Sequence, residues 1–292
     1  MSTTTSEGVG LRASHLGASG ARPAACPARA LLKASLARGH VEVLQFFRSR
    51  DSVAFTLALP VVLLALLASI LSGHVEHTSV TYSQVYVTGL LAGGLASTSF
   101  LNLGVSIANE RENGALKRLA GTPMPRAAYF LGKVIVVVAT SVLEVAVLMV
   151  FGHFFYGVKF PASLGRWWIF AWVTLLGGTS MTLVGLAASS IPKSARSAAA
   201  VLNLPFLVLE FISGVFVPYT QLSRTMLEIA GFFPLRWMAE GYRSALLPSF
   251  IQRSEIGHRW DHAEMALVLG IWCVVGLAFT MKTFRWTGKG ER

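Results

Sequence analysis

Six stretches of this chain run almost free of charge: about 52–72, 82–108, 127–156, 167–191, 198–217 and 265–281. Each is long enough, or nearly so, to cross a bilayer core about 30 Å thick, which takes roughly 20 apolar residues in a helix. The sequence therefore predicts an all-α integral membrane protein with six transmembrane helices. Composition agrees: 53% of the 292 residues are hydrophobic and 13% charged, where a soluble domain carries about 25% charged residues.

The remaining segments have their own patterns. Residues 1–30, rich in Ser, Gly, Ala, Arg and Pro, are predicted to be a disordered cytosolic tail. Residues 31–50 place Leu32, Leu36, Val43, Phe46 and Phe47 on one helical face and Arg38, Gln45, Arg48 and Ser49 on the other. That pattern predicts an amphipathic helix lying in the membrane interface with its basic groups towards headgroups. Residues 218–248 carry Arg224, Glu228, Arg236, Glu240 and Arg243, too many charges for a span. Leu227, Ile229, Phe232, Phe233, Leu235, Trp237 and Met238 make the same segment too apolar for free solvent. Pro234 divides it, so we expect a re-entrant pair of amphipathic half-helices at the bilayer edge. Residues 286–292 form a second cytosolic tail.

Charge fixes an orientation, because cytoplasmic loops are enriched in Lys and Arg. With both termini inside, four segments face the cytosol: 1–52, 109–133, the Lys193–Arg196 connection and the tail from Lys282. Their net charges are +4, +3, +2 and +3, a total of +12. The outer loops total +1, and Glu144 and Glu210 within the spans close the sum at the chain's +11. The basicity is thus a topology signal and leaves no surplus for nucleic acid. Cys26 and Cys273 belong to a polar and an apolar stretch, so no disulfide is expected. No GxxxxGK[ST], HExxH or GxSxG pattern occurs, which gives no reason to assign a metal, a cofactor or catalytic residues to the chain.

The loop after the second span reads Asn109-Glu-Arg-Glu-Asn-Gly-Ala-Leu-Lys-Arg-Leu-Ala-Gly-Thr-Pro-Met-Pro and continues to Gly132-Lys133. Residues 109–120 are expected to form a short helix ending before Pro123 and Pro125. From the residues alone it is either a plain cytosolic turn with solvated charges or a mechanical handle tied to two spans. Glu110, Arg111, Glu112, Gly114, Leu116, Leu119, Thr122, Pro123 and Gly132-Lys133 resemble the corresponding loop of ABC-2 type transporter permeases. The run Phe216-Val-Pro, Phe233-Pro-Leu-Arg-Trp and Arg243-Ser-Ala-Leu-Leu is similar to that family's segment before the last span. The resemblance covers about residues 31–285. Lys117 departs from it, since the family often has an acidic residue there.

The resemblance implies an exporter permease in a bacterial cell membrane for an amphipathic or lipid-like substrate; it looks most like the exporters that move a drug or antibiotic and confer resistance, and polysaccharide and lipid exporters stay open. It implies a separate ATP-binding cassette subunit carrying ATP and Mg, and a second permease copy, identical or a paralogue. It makes 109–120 the coupling helix, with Glu110, Arg111, Glu112, Leu116 and Arg118 as ATPase-coupling residues; Glu110 and Arg111 are expected to pair with charges on that subunit. The second span around Gly89, Gly93 and Gly94 and the fifth around Asn203 and Phe206 are expected at the contact between copies. Glu144, Glu210 and Asn203 are candidates for a polar substrate route, Glu144 being read first as structural. Phe232, Phe233 and Trp237 are candidates for an outer gate. Two alternatives remain at this point: an ion-coupled secondary transporter using Glu144 and Glu210, and a membrane-embedded lipid-modifying enzyme, for which the scattered histidines offer little.

Overall fold

The computed structural model describes residues 28–70, 73–75, 78–122, 124–218, 221–255 and 259–284. Residues 1–27 and 285–292, which hold most of both tails, and Cys26, Glu76, His77 and Pro123 lie outside the described residues. Among those described, the regular elements are all helical. Helix α1 (Ala28–Arg48) leads into α2 (Arg50–Ile70), the first span. The second span is one rod, α3 (Tyr82–Ala96), a π-helical turn (Ser97–Asn102) and α4 (Leu103–Glu112). A short α5 (Ala115–Ala120) follows. Then come α6 (Arg126–Tyr156), α7 (Leu164–Ala188) and α8 (Ala195–Ile212), the third to fifth spans. The half-helices α9 (Arg224–Gly231) and α10 (Pro234–Leu246) precede the sixth span, α11 (His262–Thr283). Among the described residues six helices are long and apolar enough to cross a membrane, and the chain is a multi-pass membrane protein.

Local chemistry sets the helix ends. Thr81 and Gln84 form a reciprocal capping box at the start of α3, and Ser194 and Ser197 form one at α8. Ser163, Ser223 and Asp261 cap α7, α9 and α11. Pro234 opens α10, where its missing N–H costs nothing.

The spans differ in surroundings. The second is wrapped by the others, while the first and fifth keep most of their surface open. The glycines of the second span explain its position. A Cβ on Gly89 would lie 3.0 Å from the Val215 carbonyl, and one on Gly93 would lie 3.1 Å from a Glu210 carboxylate oxygen. A Cβ on Gly94 would collide with Glu144. These small residues therefore admit neighbours of the same chain, and the expected contact between copies at Gly89, Gly93 and Gly94 is corrected: that surface is already filled.

Helix α1 packs on α6 through Ser35, Gly39 and Glu42, while Gln45 and Arg48 of the expected polar face are exposed, as are Leu32, Leu36 and Phe47 of the apolar one. The two half-helices differ: every residue of α10 is buried inside the bundle, between α3, α7 and α11. Gly177 makes room for Met238, and Val173 packs against Gly241.

Candidate functional site

The charged loop was expected to be a single helix over 109–120. Instead the second span carries its helix through Glu112, breaks at Asn113-Gly114, and restarts as α5. Gly114 has φ 68°, a left-handed conformation that glycine adopts without a side-chain penalty. The break separates two groups of residues. Glu110, Arg111 and Glu112 remain on the rigid rod, and Leu116 and Arg118 ride on the short helix.

The rod's three charged residues are occupied within the chain. Lys133 of α6 is 1% exposed, and its ammonium donates to Glu42 of α1 (2.9 Å), Glu110 (2.5 Å) and Ser106 (3.2 Å). The Tyr129 hydroxyl donates to the other oxygen of Glu110 at 2.9 Å. Arg38 pairs with Glu42 and stands 3.6 Å from Glu110. Two cations thus face two carboxylates, so each buried charge is compensated, as a low-dielectric site requires. Arg111 donates to the Ser189 carbonyl (2.7 Å), just after α7, and its guanidinium lies over the Phe284 ring. Glu112 accepts the Ala195 backbone N–H at the start of α8, where a carboxylate also complements the helix dipole. Through Glu110, Arg111 and Glu112 these contacts join α1, α4, α6, α7 and α8 on one face of the bundle.

Helix α5 hangs from this joint. Leu116 is fully buried with Leu103, Ile107, Tyr129, Val137 and Leu186, which come from three spans. Arg118 is exposed, as are Lys117 and Ala120. So Leu116 anchors α5, and the exposed basic edge beside it is the part another protein can touch.

Above the joint lies a cavity of about 720 Å³. Glu42, Glu110 and Lys133 line it, so the ion cluster is its floor. Its sides come from α1, α2, the second span, α6 and α8. Asn102, Asn109, Asn113 and Asn203 supply amides, Ser49, Ser52, Thr56 and Thr140 supply hydroxyls, and Phe46, Phe55, Leu101 and Val136 supply apolar surface. Asn203 is exposed at its edge, while Phe206, one turn on, is buried and stacks on Phe100. Thr98 also lines the cavity and donates to Glu144 at 2.7 Å. Glu144, 3% exposed, thereby ties the third span to the second beside Gly94. Glu210, half-buried near the end of α8, lies against the neighbouring Gly93. The structure brings Asn203 to the cavity, and Glu144 and Glu210 approach adjacent residues of the second span.

The three outer aromatics have three different surroundings. Phe232 is 74% exposed, and Phe233 stacks on Trp272 of α11 at 6.0 Å. Trp237 is buried, donates to the Gly231 carbonyl (2.7 Å) and lies under the Arg236 guanidinium. The buried charges of α10 dominate this end. Arg243 makes a two-pronged pair with Glu255 (2.5 and 3.2 Å), and Arg236 donates to the Leu227 carbonyl. Burial, reinforced by the negative charge of Glu255, pushes the Glu240 carboxyl up to about 7 against the pull of Arg243 and Arg236. Among the described residues no three His, Cys, Asp or Glu side chains gather into a metal set.

Lys133, Glu42 and Tyr129 were not among the residues expected to act. The available signal was a lysine six residues inside an apolar helix, with unpaired acids in two other segments.

The profile of the ABC-2 type transporter family matches residues 32–247 of the 292. No curated protein matches the chain.

Proposed function

The chain belongs to the ABC-2 type transporter family, and on that premise we propose that it is the permease of an ATP-driven exporter whose nucleotide-binding subunit docks on α5. One observation carries this reading: the ion cluster that holds the root of α5 is also the floor of the 720 Å³ cavity. A displacement of α5 passes through buried Leu116 into three spans and through Glu110 into Lys133 and Glu42. The cavity wall then moves with the handle. Catalysis of ATP hydrolysis, with its Mg, belongs to the partner; this chain supplies no phosphate-binding loop.

In this reading the face bearing α1, α5 and the 189–194 connection is cytosolic, in keeping with its basic charge. The substrate enters the cavity sideways between α2 and α8, the two most open spans. Amides and hydroxyls beside Phe46 and Phe55 suit an amphipathic molecule such as a drug or antibiotic. Two copies would face each other across the exposed side of the fifth span, with Leu204, Val208 and Phe211 in the contact, and leave the cavity's mouth between α2 and α8 open to the bilayer. This shifts the expected contact wholly away from the glycines of the second span. Asn203→Trp tests the cavity, because Asn203 is exposed and its replacement need not disturb the core. Substrate-stimulated ATP hydrolysis by the assembled transporter should fall at least tenfold while basal hydrolysis persists, on the order of 1.4 kcal/mol in coupling. Stimulation equal to the wild type would reject the cavity as the substrate site.

A further inference from the structure

A second cavity, of about 580 Å³, runs along the outside of the bundle between α7 and α11. The two helices are zipped along one seam. A Cβ on Gly276 would lie 2.9 Å from the Leu183 side chain, and Thr280 donates to the Leu183 carbonyl at 3.1 Å. Beside the seam the helices leave a groove walled by Val184, Ala187, Val275 and Phe279, closed at its far end by Trp272. Trp272 is held in place by its N–H bond to the Phe232 carbonyl (2.6 Å).

The near end differs in chemistry. Lys282, in the last turn of α11, is the single charged residue of the lining among the described residues, none of whose carboxylates lines the groove. It is exposed and forms no ion pair among the described residues. Ser190 lines the same end, and its hydroxyl is buried with no hydrogen-bond partner among the described residues. A buried hydroxyl left unpaired is costly, and an apolar trough ending in a cation and a free hydroxyl has the polarity of a phospholipid read from tail to head.

We propose that this groove binds one anionic phospholipid, an acyl chain along Val184, Val275 and Phe279 and the phosphate at Lys282 and Ser190. The last turn of a spanning helix is the depth at which a lysine reaches headgroups, and basic pockets between spans select anionic lipids. A second copy of the chain is a poorer occupant. A symmetric contact there would set Lys282 against its own counterpart with no acid in the lining to offset it. The headgroup would sit beside the corner where Arg111 holds Ser189 and covers Phe284, so the lipid would brace α7 and α11 next to the joint below the main cavity.

The test uses the permease alone, so its failure leaves the ATP-driven reading untouched. The protein is equilibrated with vesicles of phosphatidylcholine and phosphatidylglycerol in equal amounts, and retained lipid is counted by native mass spectrometry. The wild type should retain phosphatidylglycerol over phosphatidylcholine by roughly fivefold, the preference one lysine confers at a lipid surface. Lys282→Ala should abolish the preference, and Ala187→Phe, which fills the groove, should lower retention of phosphatidylglycerol. Lys33→Ala, which removes the same charge from the same face at α1, should change neither. Equal retention by the wild type, an undiminished preference in Lys282→Ala, or an equal loss in Lys33→Ala would overturn the proposal. So would a disulfide between copies carrying Val275→Cys, which would make the groove an interface.

Discussion

Lys133→Met removes the ammonium at the centre of the joint while keeping most of its volume. In the wild type that group satisfies Glu42 and Glu110 and is 1% exposed. Without it two carboxylates share Arg38, which bonds Glu42 and reaches Glu110 only at 3.6 Å. Removing one member of a buried ion pair costs about 3–5 kcal/mol. Because Arg38 remains, we expect the lower end, about 3 kcal/mol. At about 2–4 °C per kcal/mol for chains of this size, thermal unfolding in detergent should shift down by roughly 6–12 °C. Glu42→Gln combined with Lys133→Met removes one charge of each sign. It should restore about 1–3 kcal/mol relative to the sum of the single variants, the coupling typical of groups in one network. A Lys133→Met protein that melts with the wild type, or a double variant that equals the sum, would refute the claim that these charges form one joint.

Gly89→Ala places a methyl group 3.0–3.1 Å from backbone atoms of Gly214 and Val215, which cannot swing aside. It should cost about 1–3 kcal/mol in the same melt, whereas Gly270→Ala, with nothing within 4 Å, should be neutral. Arg118→Glu reverses an exposed charge on α5. It should leave the melting temperature within about 2 °C yet cut substrate-stimulated ATP hydrolysis by the assembled transporter at least tenfold, and unchanged stimulation would detach α5 from the partner. Glu240 gives a pH signature. Its carboxyl is raised by burial from 4.5 to about 7, so the fold favours the protonated form. That contribution is full below pH 4.5 and is lost as the pH rises through about 7. Glu240→Gln should flatten the decline in melting temperature across that window, and an identical pH profile in the variant would contradict the assignment.

The six spans were legible because length and apolarity are one-dimensional properties, and the helix bounds differ from the expected ones by a few residues. Neighbour choice was less legible. Gly89, Gly93 and Gly94 announce close approach, but a glycine pattern does not say whether the visitor is Val215, Glu210 and Glu144 of the same chain or another copy. The run Glu110-Arg111-Glu112 reads as solvated because its partners come from distant segments, Lys133, the Ser189 carbonyl and the Ala195 N–H. The amphipathic pattern of α1 identified the helix but not that a third stripe, Ser35, Gly39 and Glu42, packs on α6. Phe232, Phe233 and Trp237 are close in sequence, yet the turn at Phe232-Phe233 leaves the first exposed, stacks the second on Trp272 and buries the third. The short helix over 109–120 was read from its stop at Pro123 and Pro125, which gives no sign of the break that Gly114 makes with its left-handed φ.

In the proposed function this chain moves its substrate only through the joint, by force from an ATP-hydrolysing partner. Transport is measured into sealed, inverted vesicles containing the permease and its partner ATPase, with ATP or an imposed proton gradient as the energy source. Uptake should require ATP and the partner, be absent with the gradient alone, and be lost when Arg118→Glu replaces the wild type. Uptake driven by the gradient in vesicles containing the permease alone, and abolished by Glu144→Gln or Glu210→Gln, would contradict that function.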